Sequence, residues 1–240
     1  MKILLTNDDG IHGEGIHALA SALKEAGHEI LIVAPMENNS AVSHKLTRHT
    51  LIPIEKRTEY SYAVGGTPTD CVLVALNYLK FTPDLVLSGI NRGMNAGSDV
   101  LYSGTVAGAM EGAQNGIPSI ALSQCLYKNT QEEINAYFCR AAKLTAENLT
   151  AWVKLARETD VLNVNFPRGE IKDIRFCRQV RSTYTVCYVE EEGGLCLDAI
   201  SENSTQDGDF TAVLDGYITI TPLNLNLTDD DAMRRWRNGA

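Results

Sequence analysis

Short, almost wholly apolar segments alternate with amphipathic segments over the first two thirds of the chain, and this alternation constrains the fold most. Strands are predicted at residues 2–7, 29–34, 84–90, 118–123 and 161–166. Helices are predicted between them at residues 14–26, 67–79, 104–114 and 130–157. Strands that are apolar on both faces and separated by helices indicate a parallel sheet covered on both sides. We therefore predict an α/β fold.

Local signals support these helices. In the first helix, apolar residues recur at helical spacing, namely Ile16, Leu19, Ala20 and Leu23. Thr67 followed by Pro68 and Asp70 is typical of a helix start, and Thr130 with Glu133 forms the pattern of a capping box. The segment 36–50 is polar and is predicted to be a loop.

The pattern changes after Pro167. Four alternating, β-rich stretches follow, IRFCRQV, YTVCYVE, LCLDAI and YITITPL, and no long helical pattern separates them. We predict an α/β core at 1–168 and a smaller antiparallel β-rich extension at 169–240. The tail 228–237 begins with Thr228 and acids and ends with arginines, which is typical of a short helix that complements its own dipole.

Charge and composition exclude several classes of protein. The 240 residues carry a formal net charge of −9, which argues against a partner such as duplex nucleic acid. No apolar run approaches the roughly 20 residues that span a membrane, and the acidic N-terminal region does not resemble a signal peptide, so we expect a cytoplasmic protein with no membrane partner. The six cysteines form no C-x-x-C pair, and we expect reduced, mostly buried thiols.

An acidic pair, Asp8 and Asp9, directly follows the first strand. Ligands of open parallel sheets collect at the carboxyl ends of the strands. Other oxygen-bearing residues lie at the ends of two further core strands or in the loops after them: Asn38, Asn39, Ser40, Ser88 and Asn91. Such an all-oxygen set suits a hard divalent ion, Mg²⁺, Mn²⁺ or Ca²⁺. The alternative is that one of the two acids merely caps the following helix.

A second group of residues lies at 91–112. Gly93 and Gly97 permit a tight polar loop, and Ser103-Gly104-Thr105 opens a helix, which could form an anion site. An ordinary Ser or Thr cap explains the same residues equally well. The recurrence of Gly104, Gly108 and Gly112 indicates close helix packing. A metal beside a phosphate-sized site favours metal-assisted phosphoryl chemistry, while no P-loop or dinucleotide fingerprint is present.

Five motifs in the chain resemble those of the SurE family of stationary-phase survival proteins, which are metal-dependent 5′-nucleotidases. They are LLTNDDGI at 4–11, APMENNSA at 34–41, GTPTDC at 66–71, the long segment at 88–112 and DGYITITPL at 215–223. The resemblance implies a Rossmann-like core and one divalent cation, Mg²⁺ or Mn²⁺, held by Asp8, Asp9, Ser40 and Asn91. It further implies that Asn95, Ser103, Gly104 and Thr105 face the phosphate of a nucleoside monophosphate.

The resemblance also implies a homodimer or homotetramer with exchanged C-terminal segments, and it leaves open whether 3′-nucleotides and polyphosphate are hydrolysed too. Two loops depart from the family pattern: Ala41 replaces a usual Gly, and Gly13-Glu14 replaces a small residue and Pro. Direct attack by a metal-activated water is our mechanistic hypothesis, with Asp8, Asp9 and Asn95 as catalytic residues. His12 is a candidate acid or base, although a solvated loop histidine is the simpler interpretation.

Three other classes share parts of the pattern. A receiver-type signalling domain also carries an acidic pair and binds Mg²⁺, but it needs an Asp where this chain has Ser88-Gly89-Ile90-Asn91. A phosphatase with an Asp nucleophile usually carries D-x-D, whereas Asp8 and Asp9 are adjacent. A non-catalytic, Mg²⁺-dependent nucleotide-binding module remains an alternative, and turnover measured with and without EDTA separates it from an enzyme.

Overall fold

The computed structural model describes residues 1–126 and 129–239, with no side-chain description for 198–202. Eleven strands occur in this part of the chain: β1 (Lys2–Thr6), β2 (Glu29–Pro35), β3 (Ile54–Thr58), β4 (Ser61–Val64), β5 (Leu85–Arg92), β6 (Ser119–Gln124), β7 (Val161–Phe166), β8 (Ile174–Phe176), β9 (Thr183–Glu191), β10 (Gly194–Asn203) and β11 (Ile218–Leu223). Six α-helices accompany them: α1 (Glu14–Glu25), α2 (Pro68–Leu73), α3 (Gly104–Gln114), α4 (Gln131–Ala156), α5 (Asp209–Leu214) and α6 (Asp230–Arg237).

Nine of these strands form one sheet in the order β3-β4-β2-β1-β5-β6-β7-β11-β8. The six strands from β4 to β7 are mutually parallel, and all five predicted core strands are among them. In the register, Leu4 of β1 lies between Leu31 of β2 and Val86 of β5. The predicted parallel α/β core is therefore confirmed.

Helices cover both faces of the sheet. On one face, α1 and α4 bury Ile16, Leu19 and Trp152 against the apolar side chains of the central strands. On the other face, α2 buries Cys71 and Val72, and α3 packs through its own smaller apolar cluster. The central strands are apolar on both sides because each side meets a helix, which is the arrangement that their sequences predict.

The predicted helix starts are also confirmed. Thr67 caps α2 and Thr130 caps α4, and in both cases the acid three residues later, Asp70 or Glu133, completes a capping box. Beyond α2 the chain continues as a π-helical turn at Val74–Tyr78, so the predicted helix is divided in two. In α6 the cap is Asp229 rather than Thr228, because the Asp229 carboxylate accepts a hydrogen bond from Ala232 N.

Two parts of the β structure differ from the sequence interpretation. Strands β3 and β4 were not predicted; β3 is antiparallel to β4 at the sheet edge, and its side chains are mostly exposed. Of the four stretches predicted to form an antiparallel extension, only β9 and β10 form a separate hairpin. Strand β11 joins the main sheet antiparallel to β7, with β8 parallel beside it, because Ile218 and Ile220 pack into the main core.

Two further expectations concern membrane-spanning segments and the burial of the cysteines. None of the helices described combines the length and the apolar character that crossing a membrane requires. All six cysteines are free; Cys71, Cys125 and Cys177 are buried, as expected, whereas Cys139, Cys187 and Cys196 are exposed. The expectation of mostly buried thiols therefore holds for half of them.

Candidate functional site

Asp8 follows β1 at the carboxyl edge of the sheet and is 5% exposed. Its carboxylate accepts hydrogen bonds from both Oγ1 and N of Thr105, at 2.5 and 3.1 Å, so it sits against the first turn of α3. Burial raises the pKa of the Asp8 carboxyl from 3.8 to about 6; the Thr105 hydroxyl opposes this rise, and the charge of Asp9 adds to it. The ionised carboxylate is therefore held at a considerable desolvation cost.

Asp9 points to the neighbouring strand end. Its Oδ2 accepts a hydrogen bond from Arg92 N at 3.1 Å, one residue beyond Asn91. Burial raises the pKa of Asp9, the N–H and charge of Arg92 lower it, and the charge of Glu14 raises it. Among the described residues, neither Asp8 nor Asp9 forms an ion pair with a cationic side chain. Two adjacent carboxylates, one buried and one half-buried and neither in a salt bridge within the described residues, fit a divalent cation.

Ser40 lies on the loop after β2, which is held against Asp8. Asn39 N donates to the carbonyl oxygen of Asp8 at 2.7 Å. The Ser40 hydroxyl donates its proton to Asn38 Oδ1 at 2.6 Å, which leaves the lone pairs of its oxygen for a cation. The next residue, Ala41, has φ +56°, a left-handed conformation that favours glycine.

Asn91 is in the last part of β5, opposite Ser123 of β6. Its Nδ2 donates to the carbonyl oxygen of Gly93 at 3.0 Å. Because a carbonyl can only accept, this bond assigns the amide orientation and leaves Oδ1 as the available ligand atom. The side-chain oxygens of all four predicted metal ligands thus come from three neighbouring strand ends.

The four candidate ligands are connected through hydrogen bonds of adjacent residues: Asn39, next to Ser40, bonds to Asp8, and Arg92, next to Asn91, bonds to Asp9. No hydrogen bond within the described residues joins any two of the side chains of Asp8, Asp9, Ser40 and Asn91. Nor does that part of the chain contain a cluster of three His, Cys, Asp or Glu side chains that could hold a metal. Only two of the four candidate ligands are carboxylates; the other two are a hydroxyl and an amide. Coordination of a metal by all four residues stays a prediction.

The predicted phosphate-binding residues surround the start of α3. Ser103 is its N-cap and accepts a hydrogen bond from Val106 N at 3.0 Å, so the alternative interpretation as a helix cap is confirmed. Thr105 is committed through both its hydroxyl and its N–H to Asp8, whereas Gly104 N–H takes part in no hydrogen bond given by the described residues. An anion-binding role for these three residues remains a prediction.

Gly104 lies so close to Asp8 that no side chain fits between them. A β-carbon there would be 2.9 Å from Asp8 Cβ, 3.0 Å from its Oδ2 and 3.0 Å from Val42 Cγ1. The other two glycines of the series would also collide with the sheet, Gly108 with Ser88 and Gly112 with Ser119. The packing role predicted for the three glycines is confirmed.

Asn95 is 7% exposed and is held by several buried groups that the sequence analysis did not identify. Its Nδ2 donates to Ser123 Oγ at 2.9 Å, and its backbone is bound by Asn163 and Asn165 of β7. The signal for these two residues was the N-V-N pattern inside a strand that is otherwise wholly apolar. His12, in contrast, is exposed in the loop before α1, and its role as acid or base stays a hypothesis.

A cavity of about 340 Å³ adjoins this site. Among the residues that line it are Glu37, Asn38, Asn39, Lys45 and Thr47. The bond from Asn39 N to Asp8 O makes this wall continuous with the acidic pair. The volume lies within the range of small-molecule sites.

Fold and site together define a Rossmann-like α/β protein with an acidic pair and an adjoining cavity at the carboxyl edge of its parallel strands. The family described as "Survival protein SurE" matches residues 3–186. The chain is 39% identical to a 5′-nucleotidase SurE of Clostridium beijerinckii, covering 95% of each chain, and 41% identical to that of Gemmatimonas aurantiaca, covering 97% and 96%. The crystal structure of the SurE protein from Aquifex aeolicus superposes with a TM-score of 0.83 at 37% identity over 99% of both chains. The chain belongs to the SurE family.

Proposed function

We propose that this protein is a metal-dependent phosphomonoesterase that hydrolyses nucleoside monophosphates to nucleoside and phosphate, that is, a 5′-nucleotidase. The observation that carries the proposal is the adjacent Asp8–Asp9 pair, which forms no salt bridge with a cationic side chain of the described residues; Asp8 is buried against the start of α3 and Asp9 is half-buried beside it. The relatives at 39–41% identity bear the name 5′-nucleotidase, and the family is metal-dependent.

We assign one ion, Mg²⁺ or Mn²⁺, to Asp8, Asp9, Ser40 and Asn91. When bound, it supplies neutralisation of phosphate charge and a water of lowered pKa. Asp8 and Asp9 provide the negative charge that holds the ion. Asn95, together with Ser103, Gly104 and Thr105 at the start of α3, orients the phosphate for direct attack by water, with no phosphoenzyme. Oxygen from labelled water should enter phosphate in a single turnover, and a trapped aspartyl-phosphate would refute this route.

The nucleoside part is assigned to the 340 Å³ cavity, where Glu37 and Lys45 offer an acceptor and a donor. Glu37→Gln and Lys45→Met should then raise KM for nucleoside monophosphates but leave KM for p-nitrophenyl phosphate, which has no nucleoside, unchanged. Lys143→Met is the matched control, because Lys143 is 77% exposed on α4. Equal effects on both substrates would contradict the cavity assignment.

Turnover itself is tested by phosphate release from 5′- and 3′-monophosphates and polyphosphate with Mg²⁺, Mn²⁺ or EDTA. We expect release from 5′-monophosphates that EDTA abolishes and that Asp8→Asn and Asp9→Asn reduce to near background. Binding of nucleotide without any turnover would favour the alternative, a non-catalytic nucleotide-binding module. Full activity in EDTA would refute the metal assignment.

We also propose assembly as a homodimer or homotetramer through the β-rich extension at 169–240. The β9–β10 hairpin is a separate two-stranded sheet with exposed apolar side chains, among them Tyr188, Val189 and Leu195. An isolated two-stranded hairpin is marginally stable in water, so a partner surface would stabilise it. Light scattering of the purified protein tests the mass, and a monomer would contradict the proposal. Cytoplasmic location stays a prediction from the sequence.

A further inference from the structure

Two buried asparagines on β7 lie directly beneath Asn95. The apolar residues Leu162, Val164 and Phe166 of this strand belong to the core with α1 and α4. Because side chains alternate along a strand, Asn163 and Asn165 face the opposite side, and both are 0% exposed. Asparagine is depleted in strands, and a buried one needs hydrogen-bond partners.

Their partner is the backbone of Asn95. Asn165 Oδ1 accepts from Asn95 N at 2.8 Å, and Asn165 Nδ2 donates to Asn95 O at 3.1 Å. Asn163 Nδ2 donates to the same oxygen at 2.8 Å. Rotating the Asn165 amide by 180° would oppose donor to donor and acceptor to acceptor, so the paired contacts assign its orientation. We call Asn163 and Asn165 the asparagine clamp.

The side chain of Asn95 is held as well. Its Nδ2 donates to Ser123 Oγ at 2.9 Å, and Ser123 is opposite Asn165 in the β6–β7 register. On its other side, the same strand β6 faces Asn91 of β5. One polar cross-strand row therefore connects a candidate metal ligand, Asn91, with the groups that hold Asn95.

Stability alone does not explain this polar row. The opposing residues on β11 are Thr219 and Thr221, and their hydroxyls, together with Asn163 Oδ1, are buried without a hydrogen-bond partner in the described part of the chain. Each such group carries the desolvation penalty of an unpaired buried polar atom, and apolar residues of similar shape would avoid that cost. Four hydrogen bonds nevertheless converge on one residue, Asn95.

We infer that Asn163, Asn165 and Ser123 are positioning residues, which hold the Asn95 amide where it meets the substrate phosphate. The inference rests on the proposed function, because it assumes that Asn95 contacts phosphate. The clamp fixes the backbone of Asn95, and Ser123 engages one of its two amide N–H groups, so the second can donate to a phosphate oxygen. Holding this donor in place before the substrate arrives avoids reorganisation during the reaction.

The test is Asn165→Leu, which keeps the approximate shape and removes both bonds to Asn95. Thr219→Val is the matched control, since it alters the cross-strand neighbour on the same buried face without touching Asn95. We expect Asn165→Leu to raise the inhibition constant of inorganic phosphate and KM about tenfold or more. Affinity for Mn²⁺ should remain unchanged, because no proposed ligand is touched. Thr219→Val should change none of these constants.

An inhibition constant separates positioning from stability, because a partly unfolded sample loses active enzyme but keeps the constants of the folded fraction. An unchanged constant in folded Asn165→Leu overturns the inference. If that variant does not fold, Ser123→Ala decides, because it removes the hydroxyl that accepts the hydrogen bond from Asn95 Nδ2: a raised constant supports the inference and an unchanged one overturns it. Asn95→Ala distinguishes failure of the asparagine clamp from failure of the proposed phosphate site. If Asn95→Ala raises the constant and the clamp variant does not, only the clamp fails; if Asn95→Ala has no effect, the proposed phosphate site fails too.

Discussion

Gly104→Ala adds a single methyl group between α3 and the acidic pair. The new carbon would be 2.9 Å from Asp8 Cβ, whereas carbon atoms in favourable contact are about 3.5–4.0 Å apart. The new carbon cannot move away from Asp8 toward Val42, because Val42 Cγ1 would be only 3.0 Å from it. The Asp8 carboxylate must therefore move by roughly 0.5–1 Å. The two hydrogen bonds from Thr105 to Asp8 would be stretched by the same shift.

A displacement of about 1 Å at a reacting centre can reduce catalysis about a hundredfold, and overpacking costs about 1–3 kcal/mol of stability. We therefore expect Gly104→Ala to bind Mn²⁺ more weakly and to lose about a hundredfold in kcat/KM, while folding at 25 °C. Metal titration, kinetics with nucleoside monophosphate and urea unfolding measure these three quantities.

Gly112→Ala provides the matched control on the same helix. Its β-carbon would be 2.4 Å from Ser119 Oγ and 2.8 Å from Val86 Cγ2, a comparable collision, but about 12 Å farther along α3. It should lose stability and keep kcat/KM per folded molecule. Two results would refute the reasoning: wild-type metal affinity and turnover in Gly104→Ala, or an equal loss of turnover in Gly112→Ala.

Three further outcomes follow from single residues. The pKa of Asp8 rises from 3.8 to about 6 on folding, so protonation of this carboxyl stabilises the folded, metal-free state. The stabilisation of about 3 kcal/mol is present below pH 4 and is lost as the pH rises through 6. Urea unfolding in EDTA should show that fall in wild type and not in Asp8→Asn; parallel curves would contradict it. Ala41→Gly should relieve the strain of the left-handed backbone at this position. Because glycine also gives the unfolded chain more conformational entropy, the net rise in the unfolding free energy should be about 0.5–1 kcal/mol; a fall would show that the loop is unstrained. Thr130→Ala should cost about 1 kcal/mol by removing the α4 cap and leave turnover unchanged, and a change in KM would contradict a purely structural role.

Sequence patterns predict the core well where one physical preference dominates. Strand β7 and helix α3 have the predicted bounds, because β7 is buried on both faces and α3 begins at the cap Ser103. Strand β3, IEKRT, is different: it is mostly exposed at the sheet edge, so it lacks an apolar pattern. Its pairing with β4 is decided by tertiary contacts, which local propensity does not contain.

Strands β8 and β11 show the same limit in another form. Their alternating pattern, read alone, is typical of an antiparallel sheet that is solvated on one side. The alternate residues of β11, Thr219 and Thr221, are nevertheless buried, because they face Asn165 and Asn163 of β7. A hydropathy pattern does not distinguish a buried polar residue from an exposed one. The sequence therefore places these strands outside the main sheet, whereas the structure places β11 inside it and β8 at its edge.

The candidate site combines predictable and unpredictable parts for a related reason. Residue type and strand-end position are enough to propose Asp8, Asp9, Ser40 and Asn91 as oxygen ligands. The partner of each group is not encoded locally: Thr105, expected to face phosphate, donates both its hydroxyl and its N–H to Asp8, 97 residues earlier. That contact places the positive end of the α3 dipole directly against the acidic pair. A cation at the pair and a phosphate beside Gly104 would then share one helix terminus, so a protein with net charge −9 can attract a phosphate ester by a local positive field.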